Sequence, residues 1–223
     1  MNDIPKALLW DMDGTLIDTE PLWDEVMEEI LAEHGRAMTS EIRHSMVGSS
    51  ESGSIPIMLD ASGLEPDAEN YEWMRVQFNT RITAKFQRGV AHLAGAQDML
   101  REAAAAGIPQ ALVTSTNREL TEHLLPHIGR GHFDLTVTSS DIERPKPDPQ
   151  PYLRAAEKLG VDPADALVLE DSPTGIRAAV AAGANVVAVP SPVPPPPELG
   201  LERTGPLDRY RLSDLFAMSY RAA

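Results

Sequence analysis

Ala7-Leu8-Leu9-Trp10-Asp11-Met12-Asp13-Gly14-Thr15-Leu16 is the stretch on which the fold turns: an apolar run stops at two carboxylates one residue apart, and a glycine follows. Leu8 to Trp10 show no polar and apolar alternation, which is the pattern of a strand buried on both faces of a parallel sheet, and Gly14 permits a sharp exit. Both acids then stand at the carboxyl edge of the sheet, where open α/β sheets bind ligands. Two ionised carboxylates about 4 Å apart repel by about 4 kcal/mol at an effective dielectric of about 20. Such a pair needs a cation, a proton or separation. Read alone, the segment also suits a surface turn, in which Asp and Gly are ordinary residues.

Further strands are predicted at Gln110 to Ser115, Leu135 to Ser139, Ala166 to Leu169 and Asn185 to Val189, all short and rich in Val, Leu or Ala. Helices with recognisable stops lie between them: Ala96 to Ala106 before Gly107, Pro149 to Leu159 before Gly160, and Pro173 to Ala182 before Gly183. Asp148-Pro149 and Ser172-Pro173 read as N-cap and first-turn pairs. The alternation predicts an α/β fold with right-handed crossovers and a parallel sheet. From about Thr19 to Arg88 the rhythm breaks into helical runs at Leu22 to Glu33, Ser40 to Val47 and Ala68 to Lys85, with Val26, Ile30 and Leu31, and less cleanly Trp73, Val76 and Phe78, on their apolar faces. The expected organisation is a core of residues 1–17 and 89–223 with a helical insert, 18–88, after the first strand. Pro190 to Pro197 holds six prolines and reads as an extended connector, and Leu212 to Met218 as a closing helix.

The net charge of −15 argues against binding nucleic acid or anionic membrane, because a phosphate-tracking surface needs clustered Lys and Arg. The absence of Cys removes disulfides, thiolate metal sites and cysteine nucleophiles, so any metal is held by oxygen or imidazole. With neither a secretory signal layout nor a membrane-length apolar run, a soluble cytoplasmic monomer is expected.

Three more polar clusters fall at predicted strand ends: Thr114-Ser115-Thr116, Lys146 in Arg144-Pro145-Lys146-Pro147-Asp148, and Glu170-Asp171. Singly, Thr114 and Asp171 are also good helix caps and Lys146 a good loop lysine. A parallel sheet brings all of them to the edge that carries Asp11 and Asp13.

Taken in order, Asp11-Met12-Asp13-Gly14-Thr15, Thr114, Lys146 and Leu169-Glu170-Asp171-Ser172 resemble the motifs of the haloacid dehalogenase superfamily, in its phosphatase and phosphomutase branch with a small helical cap. The resemblance spans roughly Ala7 to Val189 and implies a Rossmann-like parallel core with the cap between the first two motifs. It implies that Asp11 attacks phosphorus to form an aspartyl-phosphate and that Asp13 acts as general acid and then base. Thr114 and Ser115 would hold phosphoryl oxygens, and Lys146 would neutralise charge on both nucleophile and phosphate. It further implies Mg2+ bound by Asp11, the Asp13 backbone carbonyl and Asp171, with Glu170 helping directly or through a water. The substrate it implies is a small phosphorylated metabolite, a sugar or polyol phosphate, with Trp23, Ser49, Ser50 and Glu51 near the cap mouth as selecting residues.

Within the superfamily, Asp13 and the late acidic pair disfavour the metal-free dehalogenases, and the cap offers only Lys85 for a phosphonate-type Schiff base. β-Phosphoglucomutase is the nearer alternative. Its resemblance extends through Gly48-Ser49-Ser50 but breaks at Glu51, where the mutase has an arginine for a second phosphate, and at Trp23, where it has a histidine. A carboxylate there repels a bisphosphate, which favours hydrolysis. From another class, a catalytically silent phosphoryl-binding or signalling protein is the alternative; receiver domains, however, carry their acidic pair before the Thr and Lys. His123 and His127 bracket Pro126 without a third ligand, so a zinc site is not expected.

Overall fold

The computed structural model describes residues 4–46 and 51–221. Its central strand is β1 (Ala7–Trp10), fully buried along its length. The flanking strands follow after two short ones, β2 (Ile17–Asp18) and β3 (Ala91–His92): they are β4 (Gln110–Val113), β5 (Leu135–Val137), β6 (Ala166–Glu170) and β7 (Asn185–Ala188). The main sheet runs β5-β4-β1-β6-β7 with every pairing parallel. Leu8, Trp10, Leu112, Leu167 and Leu169 face one apolar core, and Ala7, Leu9, Ala111, Val113 and Val168 face the other. A strand with both faces covered has no polar side, which is why Leu8-Leu9-Trp10 lacks alternation.

Among the described residues five helices serve this core or its edges, α5 (Ala96–Ala105), α6 (Arg118–Ile128), α7 (Gln150–Leu159), α8 (Pro173–Ala181) and α9 (Leu212–Met218), while α1 (Glu20–Glu33) leads away from it into the insert. The insert continues with α2 (Ser40–Met46), α3 (Glu51–Ser62) and α4 (Ala68–Phe86), and contains no strand among its described residues. Val26, Ile30 and Leu31 of α1 pack with Met74, Phe78, Ile82 and Phe86 of α4. The expected Val76 is exposed, so the apolar face of α4 runs through the i, i+4 series instead. An antiparallel ribbon of β2 and β3 ties the two ends of the insert together. The sequence reading had no place for it.

Local signals set the boundaries. Ser172 caps α8, its hydroxyl accepting from Gly175 N–H at 3.1 Å. The start of α7 is shifted by one residue from the expected Asp148-Pro149 pair: the helix begins at Gln150, whose N–H donates to Asp148 Oδ1 at 2.9 Å. The proline-rich stretch is a connector ending in a short 3-10 turn at Pro197–Leu199. No helix among the described residues is long and apolar enough to cross a membrane.

Candidate active site

Register is what assembles the site. Trp10 stands level with Leu112 on one side and Leu169 on the other, so the residues at the ends of these strands, Asp11, Thr114 and the Glu170-Asp171 pair, emerge together at one edge. Asp11 N–H still donates to Leu169 O at 3.1 Å, which holds its carboxylate against the end of β6.

Lys146 enters from the loop after β5 and is almost wholly buried. Its Nζ donates to Asp11 Oδ1 at 2.7 Å, Glu170 Oε1 at 2.6 Å and the Val113 carbonyl at 3.0 Å. Burial alone would lower the ammonium pKa, but the charges of Asp11 and Glu170 more than reverse this and hold it well above the ordinary lysine value. Glu170 is filled by protein donors: Oε1 also accepts from Tyr152 Oη at 3.1 Å, and Oε2 accepts from Ser172 N–H at 2.9 Å and Ser172 Oγ at 3.0 Å. Its approach to α8 requires Gly175, where a Cβ would stand 1.5 Å from Glu170 Oε1.

Asp11, Glu170 and Asp171 form a buried cluster in which one carboxylate oxygen from each lies within 4.8 Å of the others, close enough to hold a metal ion. Burial, then repulsion from Glu170, pushes Asp11 up to about 8, with Lys146 only partly offsetting it. The same two causes raise Asp171 well above its usual range. A divalent cation with oxygen ligands fits this cluster: the donors are hard, and Lys146 alone leaves excess negative charge. Gly14 belongs to the cradle, because its φ of 78° suits glycine and a Cβ there would sit 2.5 Å from Asp171 Oδ2. Thr15 Oγ1 donates to Asp171 Oδ1 at 3.4 Å.

The Asp13 carboxylate lies outside that cluster and receives four donors. Thr19 Oγ1 at 2.5 Å and Trp23 Nε1 at 3.3 Å reach Oδ1, while Thr116 Oγ1 at 2.7 Å and Thr114 Oγ1 at 3.4 Å reach Oδ2. Asp11, Asp13, Thr114, Ser115 and Asp171 all border one cavity of about 120 Å³ between core and insert, as do Trp23 and Glu51. Lys146 and Glu170 support Asp11 from behind rather than lining it. Ser49 and Ser50 lie outside the described residues.

On the insert side the cavity wall is largely apolar, formed by Trp23, Met27, Met46, Ile55 and Phe78. Glu51 accepts from Asn117 Nδ2 on the core and from Asn79 Nδ2 at 3.5 Å. The cation on this wall, Arg43, is paired with Asp24. Glu20 is pushed up to about 7 by burial and then by the charges of Asp13 and Asp24. Thr19, Tyr152, Asn79 and Asn117 are site residues that sequence reasoning missed. Asn117 carried a signal, since it stands where an N-cap would open α6 and its side chain does accept from Leu120 N–H.

This architecture has a family. A model of haloacid dehalogenase-like hydrolases matches residues 8–189. The chain belongs to that family. Haloacid dehalogenase-like relatives include a phosphorylated carbohydrates phosphatase of Thermotoga maritima, 32% identical over 179 residues, 80% of this chain and 82% of that protein. Hexitol phosphatase A of Escherichia coli is 32% identical over 203 residues, 86% of each chain. Among solved structures, CbbY from Rhodobacter sphaeroides in complex with phosphate superposes with a TM-score of 0.75 at 29% identity, covering 84% of this chain and 87% of that one. The parallel core with inserted cap helices is the architecture of this superfamily, and the chain is an enzyme of its β-phosphoglucomutase and sugar-phosphatase branch.

Proposed function

We propose that the protein is a Mg2+-dependent phosphatase that hydrolyses a small phosphomonoester, a sugar or polyol phosphate, through an aspartyl-phosphate on Asp11, beneath a cap of residues 18–88. The observation that carries this reading is the placement of Asp11: it is paired with Lys146, shares a buried acidic cluster with Asp171, and opens onto the same cavity as Asp13. Asp11 is the nucleophile because Lys146 orients one of its oxygens and leaves the other for phosphorus. Asp13, held by hydroxyl groups that can reverse donor and acceptor roles, delivers a proton to the departing alcohol and then takes one from water. Thr114, Ser115 and neighbouring backbone N–H groups receive the phosphoryl oxygens. Glu170, with its lone pairs engaged, fixes Lys146 and Tyr152 and supports the metal cluster from one side. Asp11, Asp171 and the Asp13 carbonyl would hold Mg2+, which supplies positive charge to phosphate and carboxylate oxygens.

Relatives named for carbohydrate and hexitol phosphates support the substrate class. Hydrolysis is favoured over mutase chemistry by the insert side of the cavity, where Arg43 is already paired with Asp24 and Glu51 adds a further carboxylate that would repel a second phosphate. Phosphate release from a panel of sugar, polyol, nucleotide and glycolate phosphates, with Mg2+ and with chelator, tests the reading. Turnover is expected only with the metal, and Asp11→Asn should lower kcat by about 10⁴-fold or more while leaving the fold intact. Retained turnover in Asp11→Asn removes it as nucleophile, and hexose-phosphate isomerisation without phosphate release would make the enzyme a mutase.

A further inference from the structure

Glu51 opens α3 on the insert, Asn79 lies within α4, and Asn117 stands on the core as the residue before α6; all three border the cavity shared by Asp11 and Asp13. Their contacts have a direction. Asn117 Oδ1 caps α6 by accepting from Leu120 N–H at 3.0 Å, so its Nδ2 group is the one left for Glu51, to which it donates across the cavity from core to insert. Asn79 Nδ2 donates to the same carboxylate oxygen, Oε2, at 3.5 Å. A carboxylate offers about four acceptor sites, and among the described residues both of these donors fall on Oε2, which leaves Oε1 able to accept.

We infer that Glu51 selects the leaving alcohol, its Oε1 accepting a hydroxyl group of that alcohol, with Asn117 and Asn79 as the positioning residues that hold the carboxylate for it. This rests on the phosphatase reading above and narrows it to an uncharged alcohol that carries a further hydroxyl. The rest of the insert-side wall agrees, because Trp23, Met27 and Phe78 offer apolar surface to the C–H face of such an alcohol while Glu51 meets its hydroxyl edge. An ionised carboxylate only accepts, so it takes a hydroxyl and repels an alcohol that bears a carboxylate or a second phosphate. A site made to hydrogen-bond a hydroxyl also rejects the analogue that lacks it. Glu51 belongs to the insert and Asn117 to the core, so the acceptor is aligned where the two meet.

The test uses three esters on one three-carbon frame: glycerol 3-phosphate, propyl phosphate without free hydroxyls, and 3-phosphoglycerate with a terminal carboxylate. The readout is the ratio of kcat/KM between two esters within one enzyme, in which a general loss of folding or of chemistry cancels. Wild type should favour glycerol 3-phosphate over propyl phosphate by about tenfold or more, and over 3-phosphoglycerate by at least as much. In Glu51→Gln the two asparagines keep the new amide oxygen, which turns its NH2 group to the cavity and puts a donor where an acceptor stood. The preference for glycerol 3-phosphate over 3-phosphoglycerate should then fall by about tenfold or more. Asn117→Ser keeps an N-cap for α6 but removes the Nδ2 donor, and should cut the ratio of glycerol 3-phosphate to propyl phosphate by about threefold or more. Ratios unchanged in either variant overturn the proposal. So does a wild type that hydrolyses some sugar or polyol phosphate yet handles glycerol 3-phosphate no faster than propyl phosphate. A wild type that hydrolyses none of these esters and no sugar phosphate fails before any substitution is made; that result overturns the phosphatase reading and this inference with it.

Discussion

Two lysines in this molecule each sit between two carboxylates, and the comparison separates chemistry from packing. Lys146 in the core contacts Asp11 and Glu170, with side-chain exposures of 2%, 9% and 0% for the three. Lys85 on α4 of the cap bonds Glu25 and Glu29 of α1 at 2.8 Å each, but its own side chain is 10% exposed and its partners are 57% and 48% exposed. Both ammonium groups are held above the ordinary value: Lys85 chiefly by its hydrogen bonds to the two glutamates, Lys146 by two buried charges that outweigh its own desolvation. The pattern is the same and the solvent is not. Water screens the cap triad, so it clamps two helices at small energetic stakes, whereas the core triad has no solvent to fall back on. Lys85 also does not border the cavity, and its two glutamates hold it charged, which removes the group a Schiff-base mechanism would need.

The sharpest way to break this contrast is Lys146→Met. It leaves Asp11 and Glu170 buried beside each other with no cation, a loss of the kind that costs about 3–5 kcal/mol. Urea unfolding in chelator should register that loss, and phosphate release should fall by about a hundredfold or more. Adding Glu170→Gln to Lys146→Met should return part of the stability but none of the activity. A change below about 1 kcal/mol would mean the core triad is screened as the cap triad is.

A second, smaller effect reads the core cluster through pH. Asp11 is pushed up to about 8 and Glu20 to about 7, and Asp171 is raised as well, so from about pH 5 to pH 8 these three groups hold more protons in the folded metal-free protein than in the unfolded chain. Their contribution to stability is therefore greatest at the acid end of that window and falls as pH rises through it. Mg2+ bound by Asp11 and Asp171 would displace their protons, so under the proposed function its stabilisation should grow over the same range. In thermal unfolding, the gain in Tm on adding Mg2+ should be larger at about pH 8 than at about pH 5, by several degrees. A gain that is equal at both pH values would deny the cluster its metal.

The core was legible because its strands are apolar on both faces and end abruptly in polar residues; parallel register then does the assembling, which is why Asp11, Thr114, Lys146 and Asp171 were readable from positions so far apart. The cap was less so. Helix α3 buries Ile55, Met58, Leu59 and Ser62 at helical spacing, but Gly53 and Pro56 weaken its local propensity and hid it. Helix α6 carries a plain signal in Asn117, Leu120, Leu124 and Leu125 ending at Gly129, obscured only by Pro126. What sequence does not display is the cage around Asp13, because two of its donors, Thr19 and Trp23, come from the mouth of the cap and two from the core. The filling of Glu170 by Tyr152 and Ser172 is equally a product of tertiary packing: spacing marks Glu170 as an acid at a strand end but not as one with its lone pairs taken.

The smallest expected effect comes from the other lysine. Lys85→Met keeps a buried apolar stem and removes only the ammonium, leaving Glu25 and Glu29 one helical turn apart on α1. Those carboxylates already face water, so they regain solvation that Asp11 and Glu170 have no access to. Tm should fall by about 3 °C or less, and raising the salt concentration should shrink the difference further, since exposed pairs are screened over about 10 Å at 0.1 M. kcat and KM should stay within about twofold of wild type, because the triad neither borders the cavity nor touches Asp13. A loss of activity in Lys85→Met with an unchanged Tm would show that the α1 to α4 clamp acts on the site through Trp23, which is packed between Phe78 and Phe86 of the same helix pair; the two lysines would then differ in distance from the chemistry rather than in kind.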